Sequence, residues 1–159
     1  MSNDDKVVIS EHDDPEMHDA NKKAQATFKY FWRELSWEYR RIVPALDMAI
    51  VKIAFRASKL KDEEQGVEYM WINDVEFDGK YISGFLMNTP NWLTDVREGD
   101  HIKASLSELS DWMFVIQGRV FGGFTVNLLR SRMEQEELRE HDQTWGFNFG
   151  SPDKIELVY

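Results

Sequence analysis

No cysteine occurs in the chain, so a disulfide framework, a thiolate zinc site and a thiol nucleophile are all excluded. Long apolar runs are missing as well. None approaches the roughly 20 residues of a membrane span, and the first residues lack the basic-then-apolar order of a secretory signal. Basic residues are scarce, 19 Lys and Arg against 29 Asp and Glu for a net charge of −10. The basic footprint that grips a phosphate backbone is therefore absent. With 4 Pro and 9 Gly, there is no Pro- or Gly-rich linker, and no internal repeat is visible. The expectation is an acidic, single-domain cytoplasmic protein with no direct nucleic-acid or membrane partner. What the chain has in quantity is aromatic side chains, 13% of 159 residues with six Trp, too many for a disordered chain. A chain of this length can bury roughly two-thirds of its unfolded surface.

The acidity is uneven. Residues 1–20 carry seven acids (Asp4, Asp5, Glu11, Asp13, Asp14, Glu16, Asp19) against one Lys, and the remainder holds 22 acids and 18 bases. Residues 1–14 read as an acidic flexible leader and 15–159 as one domain. Such a leader either steers a basic partner by long-range attraction or is simply a frayed, solvated terminus.

Periodicity gives the elements. Asp14-Pro15 is a helix start, Asp as N-cap and Pro at the first helical position. Ala24, Phe28, Phe31 and Leu35 follow at helical spacing to about Tyr39, and Pro44 prevents continuation. Val51, Ile53 and Phe55 alternate with Lys52, Ala54 and Arg56 as a half-buried strand. The acidic stretch from Lys59 to Gln65 is a loop. Tyr69, Trp71, Asn73, Val75 and Phe77 form a second strand, and Tyr81–Met87 a third. The Asp78-Gly79 pair between them predicts a hairpin with a type I′ turn. Ile102, Ala104 and Leu106 form another strand. Trp112–Ile116, short and continuously apolar, suits a central strand buried on both faces. After a turn at Gly118-Arg119 and a break at Gly122-Gly123, Thr125 caps a helix through about Glu140. Ile155–Val158 adds an edge strand. The fold expected is α+β, a curved antiparallel sheet of about five or six strands flanked by an N-terminal and a C-terminal helix.

Glu68-Tyr69-Met70-Trp71, Gly84, Asn88 with Pro90, Gly99-Asp100, Asp111-Trp112-Met113 and Gly122-Gly123-Phe124-Thr125 occur in that order. As an ordered set they resemble the bacterial YegJ-like family, domain of unknown function 2314, over a core of about residues 46–133. Phe31-Trp32-Arg33-Glu34-Leu35, His141-Asp142 and Trp145-Gly146 resemble a longer subgroup. The resemblance brings no catalytic residues. What it implies is association, since some members look like neighbours of secreted bacterial toxins, where small acidic partners serve as immunity proteins.

The chemistry-bearing residues each have a plain structural alternative. Asp111, entering an apolar strand, is either a site carboxylate beside a Trp112 platform or an acceptor of backbone N–H groups. His141-Asp142 could supply metal ligands or an acid–base pair, but His12, His18 and His101 have no spacing relation to it, and a His near a helix end is the simpler account. Gly122-Gly123-Phe124-Thr125 before a helix invites an anion-binding reading but matches neither a P-loop nor a dinucleotide fingerprint. Arg130 either laces a surface helix or turns inward as a strut to Asp111 or Glu108. Trp71 and Trp112 are assigned to the core. Trp92, beside Asn88 and Pro90, and Trp145 are the candidates for exposure and hence for partner anchors.

Two functions of different class follow. The first is a non-enzymatic protein-binding module, an immunity protein or antitoxin that occludes the active site of a cognate toxin with a basic surface, using Trp92, Asn88, Pro90, Trp145, Glu98 and Asp100. The second is a small hydrolase or small-ligand sensor built on Glu108, Asp111, Arg130 and His141. No cofactor and no metal is expected for either. The first is favoured.

Overall fold

The computed structural model describes residues 14–56, 67–91 and 93–159. The leader, apart from Asp14, and the loop read at 59–65 lie outside the described residues. Helix α1 spans Pro15–Glu38. Among the described residues six strands follow in sequence, β1 Leu46–Arg56, β2 Val67–Phe77, β3 Tyr81–Leu86, β4 His101–Ser105, β5 Leu109–Ile116 and β6 Arg119–Gly122, with a 3₁₀ turn at Leu106–Glu108. Helices α2 (Phe124–Ser131) and α3 (Gln135–Trp145) close the chain. All six strands join one open sheet in the order β4-β3-β2-β1-β5-β6, every neighbouring pair antiparallel. The α+β architecture read from the periodicity is the one observed.

α1 forms where its caps and its stripe agree. The Asp14 carboxylate accepts from the Glu16 N–H at 3.0 Å and Pro15 sits at the first helical position. Met17, Ala20, Ala24, Phe28, Phe31 and Leu35, spaced three or four apart, are buried, the last five of them against the inner face of the sheet. That face supplies Val51, Ile53, Met70, Ile72, Ile82 and Phe114. Trp112 sits at its centre, fully buried, with its indole N–H donating to Thr27 at 3.0 Å and its ring against Phe31, Phe114 and Phe124. The outer face is covered on its β1-β5-β6 side, where Ile50, Met113, Val115 and Val120 pack under Val126 and Phe149.

Four expectations need correction. β5 is buried on both faces as expected, yet it lies second from the sheet edge, because α1 covers one side and the C-terminal segment the other. The Asp78-Gly79 hairpin forms, but only Gly79 has a positive φ, +98°, and the Asp78 carboxylate accepts the Lys80 and Tyr81 N–H groups instead. The two-residue turn with both φ positive is Gln117-Gly118, at +49° and +79°. The helix expected from Thr125 to Glu140 is two helices broken at Arg132–Glu134. Its cap is Gly123, at φ +75°, and Thr125 lies within the first turn. Ile155–Val158 is not a strand; it meets the sheet through the Gly122 N–H, which donates to the Glu156 carbonyl at 2.8 Å, and through the Glu156 side chain, 3.5 Å from Arg119. Among the described residues no helix is long and apolar enough to cross a membrane.

Candidate functional site

Asp111 is the most deeply placed carboxylate. It is fully buried on β5, and its neighbours explain how that is tolerated. Oδ1 accepts the Trp112 and Phe124 N–H groups, both at 2.8 Å. Oδ2 accepts the Thr125 N–H at 2.8 Å, the Thr125 hydroxyl at 2.5 Å and the Val126 N–H at 3.4 Å. A helix leaves its first N–H groups without intrahelical partners. Gly123 has no side chain to serve them, so Asp111 caps α2 from the neighbouring strand and adds a negative charge at the positive end of the helix. Burial pushes the Asp111 carboxyl above the usual carboxylate range, opposed by the charge of Lys52, its cross-strand partner, and by the bonds from Thr125 and Phe124. Such a fully committed carboxylate has no lone pair aimed at a substrate.

Arg130 is turned inward, 2% exposed, but not towards Asp111 or Glu108. Its Nε and Nη2 bond both oxygens of Asp142 at 2.9 and 2.7 Å, Nη1 donates to Asn127 Oδ1 at 2.7 Å, and Nη2 also reaches the Gly150 carbonyl at 2.9 Å. The guanidinium stacks over Phe149. His141 completes this group, its Nδ1 2.9 Å from Asp142 Oδ1. Burial raises the Asp142 carboxyl pKa, but Arg130 and His141 outweigh it and hold the group below the usual range. The clamp ties α2, α3 and the C-terminal segment together. Glu108 belongs elsewhere, closing its 3₁₀ turn by accepting the Ser105 N–H at 3.3 Å. Among the described residues no hydrogen bond or ion pair joins Asp111 or Glu108 to Arg130 or His141, so the four candidate charges fall into three separate networks. No three His, Asp or Glu of the described residues gather as metal ligands.

The partner-binding candidates cluster differently. The β3–β4 connection is tied to β2 at two points. Asn88 Oδ1 accepts the Trp71 N–H at 2.6 Å, and the buried Glu68 carboxylate accepts the Asn91 and Leu93 N–H groups at 2.6 and 3.4 Å. Trp92, between those two residues, lies outside the described residues. Pro90 is half-buried; Glu98 and Asp100 are exposed. Their inward bonds are local, Thr89 hydroxyl to Glu98 at 2.9 Å and Arg97 N–H to Asp100 at 2.9 Å.

Beside this connection an aromatic row crosses the outer face of the sheet. Trp145 at the end of α3 meets Trp71 on β2 edge-on, ring centroids 6.4 Å apart. Met87 follows, its N–H bonded to the Trp71 carbonyl. Phe85, 42% exposed, then stands against exposed His101 at 5.2 Å. Trp145 and Trp71 are both half-buried, so Trp145 is less exposed, and Trp71 less enclosed, than sequence reasoning assigned. Lys52, Glu68, Asn127 and Asp142 were missed as organising residues. Two left a signal, Glu68 at the head of the Glu68-Tyr69-Met70-Trp71 motif and Asp142 in its dipeptide with His141.

Comparison with known proteins gives three matches. The profile of the family described as "Uncharacterized protein conserved in bacteria (DUF2314)" covers residues 14–149. A protein of Neisseria meningitidis serogroup B (strain ATCC BAA-335 / MC58), named a putative ankyrin repeat protein, is 47% identical over 161 residues, 100% of this chain and 62% of that relative. The uncharacterized protein YegJ of Escherichia coli K12 is 30% identical over 73 residues, 46% of this chain and 48% of YegJ. The chain thus spans less than two-thirds of the length of either relative. No solved structure matches it.

Proposed function

The chain belongs to the bacterial DUF2314 family, and from that premise we propose that it is a non-enzymatic protein-binding module, in particular an immunity protein that neutralises a toxin by covering its active site. The observation that carries this reading is the division of labour among polar side chains. Asp111, Arg130 and Asp142, the groups that could do acid–base or anion chemistry, are spent on holding α2 and α3. Glu98 and Asp100 remain exposed at the edge of the aromatic row. A hydrolase or small-ligand sensor using Asp111, Arg130 and His141 would need the three to converge; Arg130 and His141 meet at Asp142, but the bonds of Asp111 run to Trp112 and the start of α2.

The mechanism is steric and electrostatic. A toxin acting on an anionic substrate lines its active site with basic residues. The exposed acids meet these, the chain's net charge of −10 speeds encounter, and Phe85, Trp145 and the 88–100 connection supply apolar burial. The name of the Neisseria relative points the same way, because ankyrin stacks are protein-binding scaffolds. As an immunity protein the chain acts in the cytoplasm, without cofactor, nucleic acid or membrane.

The test is growth rescue. Toxins secreted by the host are expressed one at a time in a sensitive strain with the full chain or with its Glu98→Lys/Asp100→Lys variant. Rescue by the first and loss of rescue by the second is the expected result. Rescue that survives the charge reversal would remove the electrostatic mechanism, and rescue from no toxin would remove the immunity role.

A further inference from the structure

The connection between α1 and β1 carries the most exposed large apolar side chains among the described residues. Ile42 is 98% exposed and Val43 77%, beside Tyr39 at 53%. Scattered exposed aliphatics are ordinary; these two sit on a loop that is tied shut. Glu38 Oε1 accepts the Arg41 side chain at 2.8 Å and the main-chain N–H groups of Ala45 and Leu46 at 2.9 and 3.2 Å. Arg41 also pairs with buried Glu34. The Tyr39 hydroxyl donates to the Val75 carbonyl, and Pro44 restricts the last turn. An apolar tip held this way gives up little conformational entropy on binding.

A cavity of about 330 Å³ opens next to it, with Leu46, Met48 and Met87 among its apolar walls and Asp47 and Asp74 among its polar ones. Asp74 has φ +51°, a non-glycine residue in the left-handed region, and it stands in the bulge where the β2–β3 register shifts between Asn73 and Glu76. Such backbone is costly and concentrates at binding sites. The local field is negative. Asp47, Asp74 and Glu76 are exposed, and the Tyr39 hydroxyl pKa is raised by burial and by the charges of Glu76 and Asp74.

We propose that this corner is a second docking site, for a partner protein that inserts a Lys or Arg side chain into the cavity. The aliphatic stem lies along Met48 and Met87, whose flexible thioethers adapt to it. The cation meets Asp74 and Asp47, and apolar partner surface covers Ile42 and Val43. A second copy of the chain is a poor occupant, since a two-fold contact would set these acids against themselves. The inference rests on the protein-binding reading, but on neither the toxin nor the 88–100 surface.

Two measurements on the full chain test it. In the first, the peptide acetyl-Leu-Arg-Leu-amide is titrated while the Met48 and Met87 methyl resonances are followed by NMR. Saturating shifts are expected, weakened about fivefold in the Asp74→Asn/Glu76→Gln variant and unchanged in Glu98→Lys/Asp100→Lys. Asn accepts positive φ, so the first variant keeps its bulge. Absent shifts, or equal shifts from the citrulline peptide, overturn the proposal. In the second, a photo-crosslinking residue replaces Val43 or Glu98 in the native host. An adduct at position 43 that maps to a Lys- or Arg-bearing segment supports the site. Adducts at position 98 alone overturn it and leave the protein-binding reading standing. Adducts at neither position overturn both.

Discussion

At the scale of single residues, two acids carry most of the framework's polar organisation. Asp111→Asn would turn an amide N–H₂ towards donors that need an acceptor. We expect it to cost about 2–3 kcal/mol of stability in urea unfolding, whereas Thr125→Val, which removes one hydroxyl bond, costs about 1 kcal/mol. Equal stability of wild type and Asp111→Asn would contradict the capping role. The two acids also respond oppositely to pH. Asp142 has a folded pKa below its unfolded one. The stability it supplies is complete above the unfolded pKa and is lost as pH falls through the folded one. Asp142→Asn should therefore flatten the acid limb of the stability curve below about pH 4. Asp111, with a raised folded pKa, binds its proton more tightly when folded, so its contribution declines as pH rises above the unfolded value. Sequence reasoning left Asp111 as either a site carboxylate or an acceptor of main-chain N–H groups, and Arg130 as either a surface residue or an inward strut to Asp111 or Glu108. The partners of Asp111 are mostly main-chain N–H groups, which leave no trace in residue identity. Those of Arg130 come from a helix break and a C-terminal turn that no local pattern announces.

At the scale of elements, α1, most of the strands and the Asp78-Gly79 hairpin were legible because each rests on local signals that tertiary packing reinforces, such as Asp14-Pro15 or the alternation from Tyr69 to Phe77. What was not legible was set by contacts between elements. The second and third helices look continuous, since Arg132–Glu134 contain neither Gly nor Pro. The break lets Arg132 pair with Asp14 and Glu16 at the start of α1 while α3 folds back over Trp71. Turn chemistry was likewise misplaced. Gln117, rather than Asp78, holds the strained position, so Gln117→Asn should stabilise the protein by about 0.5–1 kcal/mol, read as a raised thermal midpoint; an unchanged or lowered midpoint would contradict the turn assignment. Gly122 shows the opposite constraint. A Cβ there would lie 2.4 Å from the Trp112 carbonyl oxygen, so Gly122→Ala should destabilise strongly, by about 2 kcal/mol or more, and a variant of wild-type stability would count against that packing.

At the scale of the whole molecule, the sheet is covered fully on one face and partly on the other. α1 lies across the inner face; the C-terminal segment covers only the β1-β5-β6 side of the outer one. The aromatic row and the exposed acids of the β3–β4 connection occupy the remainder, in a molecule whose net charge of −10 favours a basic partner. The measurement that tests this most directly is recovery of the tagged full chain from its own cells, beside a folded variant carrying Glu98→Lys, Asp100→Lys and Trp145→Ala. Mass spectrometry then reads the stoichiometry of any bound protein. The account predicts a basic protein bound near one-to-one by the wild type and lost from the variant. Equal recovery by both, or no protein partner on either, would contradict it.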